Sequence, residues 1–228
     1  MSVRAPLAVA VRNVRMTYRI GSTRVEALRG VSLDVPAGEF LLLMGPSGSG
    51  KTTLLSILGG ILTPTSGAVV VAGVELTRLN RRTLAEFRLH NVGFVFQGFN
   101  LFGALSAREN VQLALSLKGV KASEGRERAC GLLDEVGLGD KCERAPADLS
   151  AGEKQRVAIA RALAGAPRLI MADEPTASLD SDNGKHITLM LRELAKSHGC
   201  TVITVTHDPR IVEVADRVLN IEDGFLRE

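Results

Sequence analysis

Phe40-Leu41-Leu42-Leu43-Met44 runs directly into Gly45-Pro46-Ser47-Gly48-Ser49-Gly50-Lys51-Thr52. The unbroken apolar run suits a strand buried on both faces, and Lys51 to Gly59 reads as a helix. Strand, glycine-rich loop and helix in that order let backbone N–H groups converge on phosphate oxygens, with the helix N-terminus adding partial positive charge. In the pattern G-x-x-x-x-G-K-[ST], Lys51 reaches the β- and γ-phosphates and Thr52 offers a hydroxyl to Mg²⁺. Gly45 to Thr52, with Thr53 beside them, are therefore the first candidate binding residues. Their ligand is a nucleoside triphosphate.

A second segment supplies the acids such a site needs. Leu169-Ile170-Met171-Ala172 is a buried strand, and Asp173-Glu174 stand together at its C-terminal end, the usual place for ligands in α/β sheets. Asp173 suits a Mg²⁺ contact through water, and Glu174 suits acceptance of a proton from an attacking water.

Around these, the chain alternates strands with helices. Val31, Leu33 and Val35 alternate with polar residues, as in a half-buried antiparallel strand, and Pro36-Ala37-Gly38 turns the chain. Pro64 to Gly67 reads as a turn. Val69 to Val71, Val92 to Phe96, Thr201 to Thr206 and Val218 to Ile221 read as strands. Between about 98 and 148 strand signals vanish, and helical patterns appear around Val111, Leu113, Leu115 and Leu117 and around Cys130, Leu132, Leu133 and Val136. The expected fold is α/β, with a mostly parallel sheet, an N-terminal antiparallel β part and a helical insertion. One domain over 1–228 is expected, with a core of 1–97 and 149–228 and a helical subdomain at 98–148.

Composition narrows the function. Lys and Arg number 28 against 25 Asp and Glu, too even and too scattered for a nucleic-acid footprint. Only 4% of residues are aromatic, with no Trp and one Tyr, which argues against stacking on single-stranded bases. Cys130, Cys142 and Cys200 have no C-x-x-C spacing, so neither a disulfide framework nor a zinc site is expected, and a reducing compartment is. No apolar run approaches the ~18–20 residues that span a bilayer. Ala5 to Val11 follows Arg4 like a faint leader, but Pro6 interrupts it and Arg12-Asn13 closes it, so it reads as a leading strand.

Leu149-Ser150-Ala151-Gly152-Glu153, followed by Lys154-Gln155-Arg156, resembles the signature motif of ABC ATPases. Physically it is a serine and a glycine opening a helix over Val157 to Ala164, hence a second anion-binding helix N-terminus. The resemblance implies a P-loop NTPase of ABC type that works as a head-to-tail homodimer. Each ATP with its Mg²⁺ then lies between one P-loop and the partner's Ser150, Ala151, Gly152 and Glu153. It further implies that Gln97 senses Mg²⁺ and the attacking water, and that His207 contacts the γ-phosphate. Asp180, in Ser178-Leu179-Asp180, crosses to the other subunit, and Tyr18 stacks on adenine. The departure is Ala151, where the family usually has glycine. Alanine costs little at negative φ and strains the loop at positive φ, and function is expected to be kept.

Tyr18 to Leu33 and Gly93 to Leu101 resemble one branch, that of macrolide-exporter, lipoprotein-release and cyanobacterial glycolipid-exporter ATPases. That implies an integral-membrane permease docking near residues 98–110, through Phe99, Leu101, Phe102 and Leu105. It places the chain at the cytoplasmic face of the membrane, with no nucleic-acid partner. An ATP-driven signalling subunit, as in the branch's cell-division relatives, is the alternative, since the difference lies in the permease.

Overall fold

The computed structural model describes residues 6–227. Arg4 and Ala5, part of the expected leading strand and its flank, lie outside the described residues. Two long strands, β1 (Leu7–Ile20) and β2 (Thr23–Pro36), pair antiparallel and are joined through β1 to β4 (Ser66–Val71) and the short β5 (Val74–Glu75). This four-stranded sheet has the order β2-β1-β4-β5. The alternation of Val31, Leu33 and Val35 is that of its buried face, with Ser32 and Asp34 turned outward.

The second sheet carries the site. β3 (Phe40–Met44) lies parallel between β8 (Thr201–Val205) and β9 (Arg217–Glu222). β7 (Leu169–Asp173) and β6 (Val92–Phe96) continue it in parallel beyond β8. Among the described strands of this sheet only β10 (Phe225–Arg227), at the other edge beyond β9, is antiparallel. The inner strands are apolar runs because both faces are covered: Leu41, Leu42, Leu43, Ile170, Met171 and Ile203 are wholly buried. In register, Leu43 faces Val205 and Asp173 faces Val205, so β3, β7 and β8 end at one level.

Among the described residues, six α-helices surround the sheets: α1 (Lys51–Leu58), α2 (Arg81–Asn91), α3 (Ala107–Leu117), α4 (Ala122–Glu135), α5 (Ala151–Leu163) and α6 (Ser181–Ser197). α2 has no counterpart in the sequence reading, because only Leu84 and Phe87 of it are buried and Arg81-Arg82 open it. Its start is nevertheless well specified. Asn80 Oδ1 accepts the amides of Arg82 and Thr83, each at 3.0 Å. α5 begins six residues before the expected Val157, because Ser150 and Glu153 form a capping box at its N-terminus.

Helices α3 and α4 occupy the stretch expected to be helical. Val111 and Leu115 are buried while Leu117 is 64% exposed, so the apolar stripe follows a four-residue step rather than the two-residue one of the sequence reading. A second core joins α3, α4 and α5 to the face of the parallel sheet that carries Val95, Ile170 and Val202. Among the described residues, no helix is long and apolar enough to cross a membrane.

Candidate functional site

The loop after β3 is shaped by backbone that only glycine tolerates. Gly45 sits at φ 146° and Gly50, the residue before α1, at φ 105°. A Cβ on Gly45 would strike the Ile221 carbonyl oxygen, and one on Gly50 would strike that of Ala27. The loop therefore lies tight against β9 and β2. Lys51 is buried, and its Nζ donates to the carbonyls of Gly45 and Pro46 at 2.8 Å each. Ser49 Oγ is buried with no protein partner.

The strand ends bring the acids to this loop. Thr52 Oγ1, at the start of α1, donates to Asp173 Oδ1 at 3.3 Å. Burial pushes the Asp173 carboxyl above the usual aspartate range; the Thr52 hydroxyl opposes that shift, Glu174 adds to it and Lys51 opposes it. Glu174 takes the left-handed conformation, φ 47°, at the point where β7 ends. Its carboxylate is held from two directions, by Thr206 Oγ1 at 3.1 Å and by His207 Nδ1 at 2.8 Å. The His207 side chain is 72% exposed and that of Glu174 only 17%. Neighbouring parallel strands bring these distant residues together, since both follow strand ends at one level of the sheet.

Ser47, Gly48, Gly50, Lys51, Thr52, Thr53, Gln97, Asp173, Glu174 and His207 line one cleft of about 600 Å³, together with Ala27, which the sequence reading missed. Tyr18 stands at its edge, with its hydroxyl 3.4 Å from Thr53 Oγ1. The cradle that a Cβ would fill, the unpartnered Ser49 hydroxyl and the hard oxygen donors Thr52 and Asp173 fit a triphosphate with Mg²⁺.

Ser150, Ala151, Gly152 and Asp180 lie elsewhere. With Arg156, Ser178 and Asn183 they line a separate pocket of about 340 Å³, which shares no lining residue with the first. Ala151 is the first residue of α5 and is not among the positive-φ residues, so the alanine is unstrained there. Glu153 turns away from this pocket. Its carboxylate accepts the Ser150 amide at 2.8 Å and pairs with Lys141, and these contacts, Lys141 foremost, lower its pKa to about 2. Asp180 caps α6 by accepting the Asn183 amide at 3.0 Å, which holds its carboxyl below the usual range. Ser178 Oγ donates to the Gln97 carbonyl at 3.4 Å and so joins the two pockets.

The loop after Gln97 rests on two residues that local spacing does not announce. Phe99 and Asn100 both have positive φ, and their carbonyls accept from the Arg161 guanidinium. Buried Asn110 accepts the Phe102 amide at 2.8 Å and donates to three carbonyls between Phe102 and Ser106.

The sequence profile described as "ABC transporter" matches residues 28–177. The chain belongs to the ABC transporter family. It is 46% identical over 96% of its length to the macrolide export ATP-binding/permease protein MacB of Syntrophobacter fumaroxidans, of which it spans about a third. It is 48% identical to an uncharacterized ABC transporter ATP-binding protein of Thermotoga maritima, covering 91% of this chain and 88% of that one. A dimeric ATP-binding cassette solved in a post-hydrolysis state with ADP and Pi superimposes with a TM-score of 0.88 at 41% identity. The match covers 96% of this chain and 97% of that one. Both pockets are carried on one chain of this family.

Proposed function

We propose that the chain is an ATPase subunit that closes head-to-tail on a second copy around two Mg·ATP and drives a membrane permease from the cytoplasmic side. The observation that carries this reading is the separation of the two pockets. Ser150 and Gly152, at a helix N-terminus suited to a γ-phosphate, do not line the cleft of Lys51, so their phosphate must come from another chain. In this reading 1–228 is one domain, with 98–148 inserted between the core segments 1–97 and 149–228.

Thr52, Asp173 and Gln97 would hold the Mg²⁺, which would supply charge neutralisation for the triphosphate. Lys51 exchanges its two loop carbonyls for phosphate oxygens. Tyr18 stands beside the base. Glu174, oriented by Thr206 and His207, accepts the proton of the attacking water, and His207, largely exposed, contacts the γ-phosphate. The partner's Ser150 and Gly152 complete the anion site, and Asp180 lies at the joint.

A macrolide-exporter type of permease is favoured by the MacB relatives, whose names join ATP-binding and permease functions. Residues 98–110 are the docking segment. Phe102 is 56% exposed, and Asn100 of this segment lines a groove of about 270 Å³ with Phe94, Phe96, Arg161 and the exposed Leu117.

The test is Glu174→Gln. Removing the base should lower hydrolysis by roughly 10²–10⁴-fold while leaving Mg·ATP binding intact. The variant should then elute as a dimer in Mg²⁺ and ATP on size exclusion. A monomer with ATP bound, both alone and with its permease, refutes the head-to-tail site.

A further inference from the structure

A cavity of about 460 Å³ opens at the end of the parallel sheet away from Asp173 and Glu174. Leu169 and Thr201, the first residues of β7 and β8, line it from one sheet, and Leu7 of β1 and Val71 of β4 line it from the other. It therefore lies where the two sheets meet, and it shares no lining residue with the Lys51 cleft or the Ser150 pocket.

Backbone hydrogen bonds hold its walls. The Ala37 amide donates to the Pro6 carbonyl at 2.8 Å and the Ala72 amide to the Ala8 carbonyl at 2.8 Å. The Thr201 amide donates to the Arg168 carbonyl at 3.0 Å. Small residues leave the space, since Ala8, Ala37, Ala72, Gly73 and Gly199 all line it. A site held in this way, and of this size, is formed before a small ligand arrives.

The lining is mostly apolar, with two polar exceptions. Arg168 is the one charged residue among those that line the cavity, and it makes no ion pair among the described residues. Buried Thr201 accepts the Gly38 amide on its hydroxyl oxygen at 2.9 Å, which leaves the hydroxyl proton to donate. A guanidinium fork beside a hydroxyl donor matches a carboxylate.

We propose that this cavity binds an amphiphilic carboxylate of the medium-chain fatty-acid class. The apolar chain lies against Leu7, Val71 and Leu169, and the carboxylate takes the Arg168 fork and the Thr201 hydroxyl. A neutral alcohol of the same length would leave the guanidinium unpaired, and an amine would oppose its charge. A ligand seated here bridges β1 and β4 of one sheet to β7 and β8 of the other, so it stabilises the folded chain by mass action. The site goes beyond the ATPase reading and does not depend on it.

The probe is sodium octanoate, titrated into the full chain and followed by calorimetry and by thermal unfolding. Saturable binding at one site per chain is expected, with a melting temperature that rises with octanoate concentration. Octan-1-ol and octylammonium should bind at least about tenfold more weakly. Arg168→Ala should weaken octanoate by a similar factor while ATP turnover stays unchanged, and Arg168→Lys should recover part of the affinity. Ala37→Phe, at an exposed position of the wall, should abolish binding by filling the space. Lys51→Ala should bind octanoate as the wild type does, which separates this cavity from the anion site of the P-loop. Equal binding of octanoate and octan-1-ol overturns the proposal, as does undiminished binding by Arg168→Ala or Ala37→Phe. Loss of binding in Lys51→Ala would put the carboxylate in the nucleotide cleft and overturn it too. The absence of saturable binding up to millimolar octanoate overturns it outright.

Discussion

Arg161 Nη2 donates to the carbonyl of Phe99 at 2.8 Å, and its second nitrogen reaches the neighbouring carbonyl of Asn100. This guanidinium stands on the helix that Ser150 opens, and its partners lie two and three residues after Gln97. Both partner residues are left-handed, a conformation that costs non-glycine residues free energy unless something holds it. Both partners are uncharged carbonyls, and burial draws the guanidinium pKa below its ordinary value, so the charge is spent on fixing this turn.

Arg161→Ala should release the turn and leave two carbonyls without a donor. Turnover should drop about tenfold while nucleotide affinity, set at Lys51 and Thr52, stays within about threefold. Arg161→Lys should recover part of the loss, since an ammonium can reach one carbonyl but not fork to two. Steady-state kinetics beside nucleotide titration decides it; equal losses in affinity and turnover would refute the role.

Lys51 holds the carbonyls of Gly45 and Pro46 and is buried beneath the loop. Lys51→Ala should weaken ATP binding and abolish turnover, because the β/γ-phosphate charge loses its cation. Near-normal hydrolysis by a well-folded variant would end the nucleotide assignment of the cleft.

Ala151 begins α5 outside the positive-φ residues, so a glycine there relieves no strain. Ala151→Gly should leave hydrolysis within about threefold. A rise beyond tenfold would reveal ~1.4 kcal/mol of transition-state stabilisation withheld by the methyl group.

Glu153 should make stability depend on acid. Its folded pKa of about 2 lies below the ordinary value, so its contribution is complete above ~pH 4.3 and fades as pH falls toward the folded value. Glu153→Gln keeps the capping geometry but not the charge opposite Lys141. Thermal melts from pH 6 downward should show the gap between wild type and variant narrowing through that window. A gap independent of pH would mean that the pair with Lys141 contributes nothing.

The sequence was most readable where chemistry is local. Gly45 to Thr52 declares itself because the strand, the glycines and the helix are consecutive, and Asp173-Glu174 because the acids close an apolar strand. The pairing of Glu174 with His207 was not read from the sequence; it comes from the sheet order, which sets the ends of β7 and β8 side by side. Contacts that jump along the chain were not legible. Nothing near Phe99 announces Arg161, which reaches its carbonyl from 62 positions along the chain. α2 was missed for a related reason: with few apolar residues, its signal is the cap at Asn80 rather than periodicity.

The separation of the Lys51 cleft from the Ser150 pocket has a genetic reading under the head-to-tail arrangement. A Lys51→Ala chain carries a sound signature, and a Ser150→Arg chain carries a sound P-loop. In a mixed pair, one composite site inherits both lesions and the other inherits neither. Two alleles that are each inert alone would therefore complement one another in a cell expressing both. Two different lesions within the Gly45–Thr52 loop would not, since each site of their mixed pair would be spoiled.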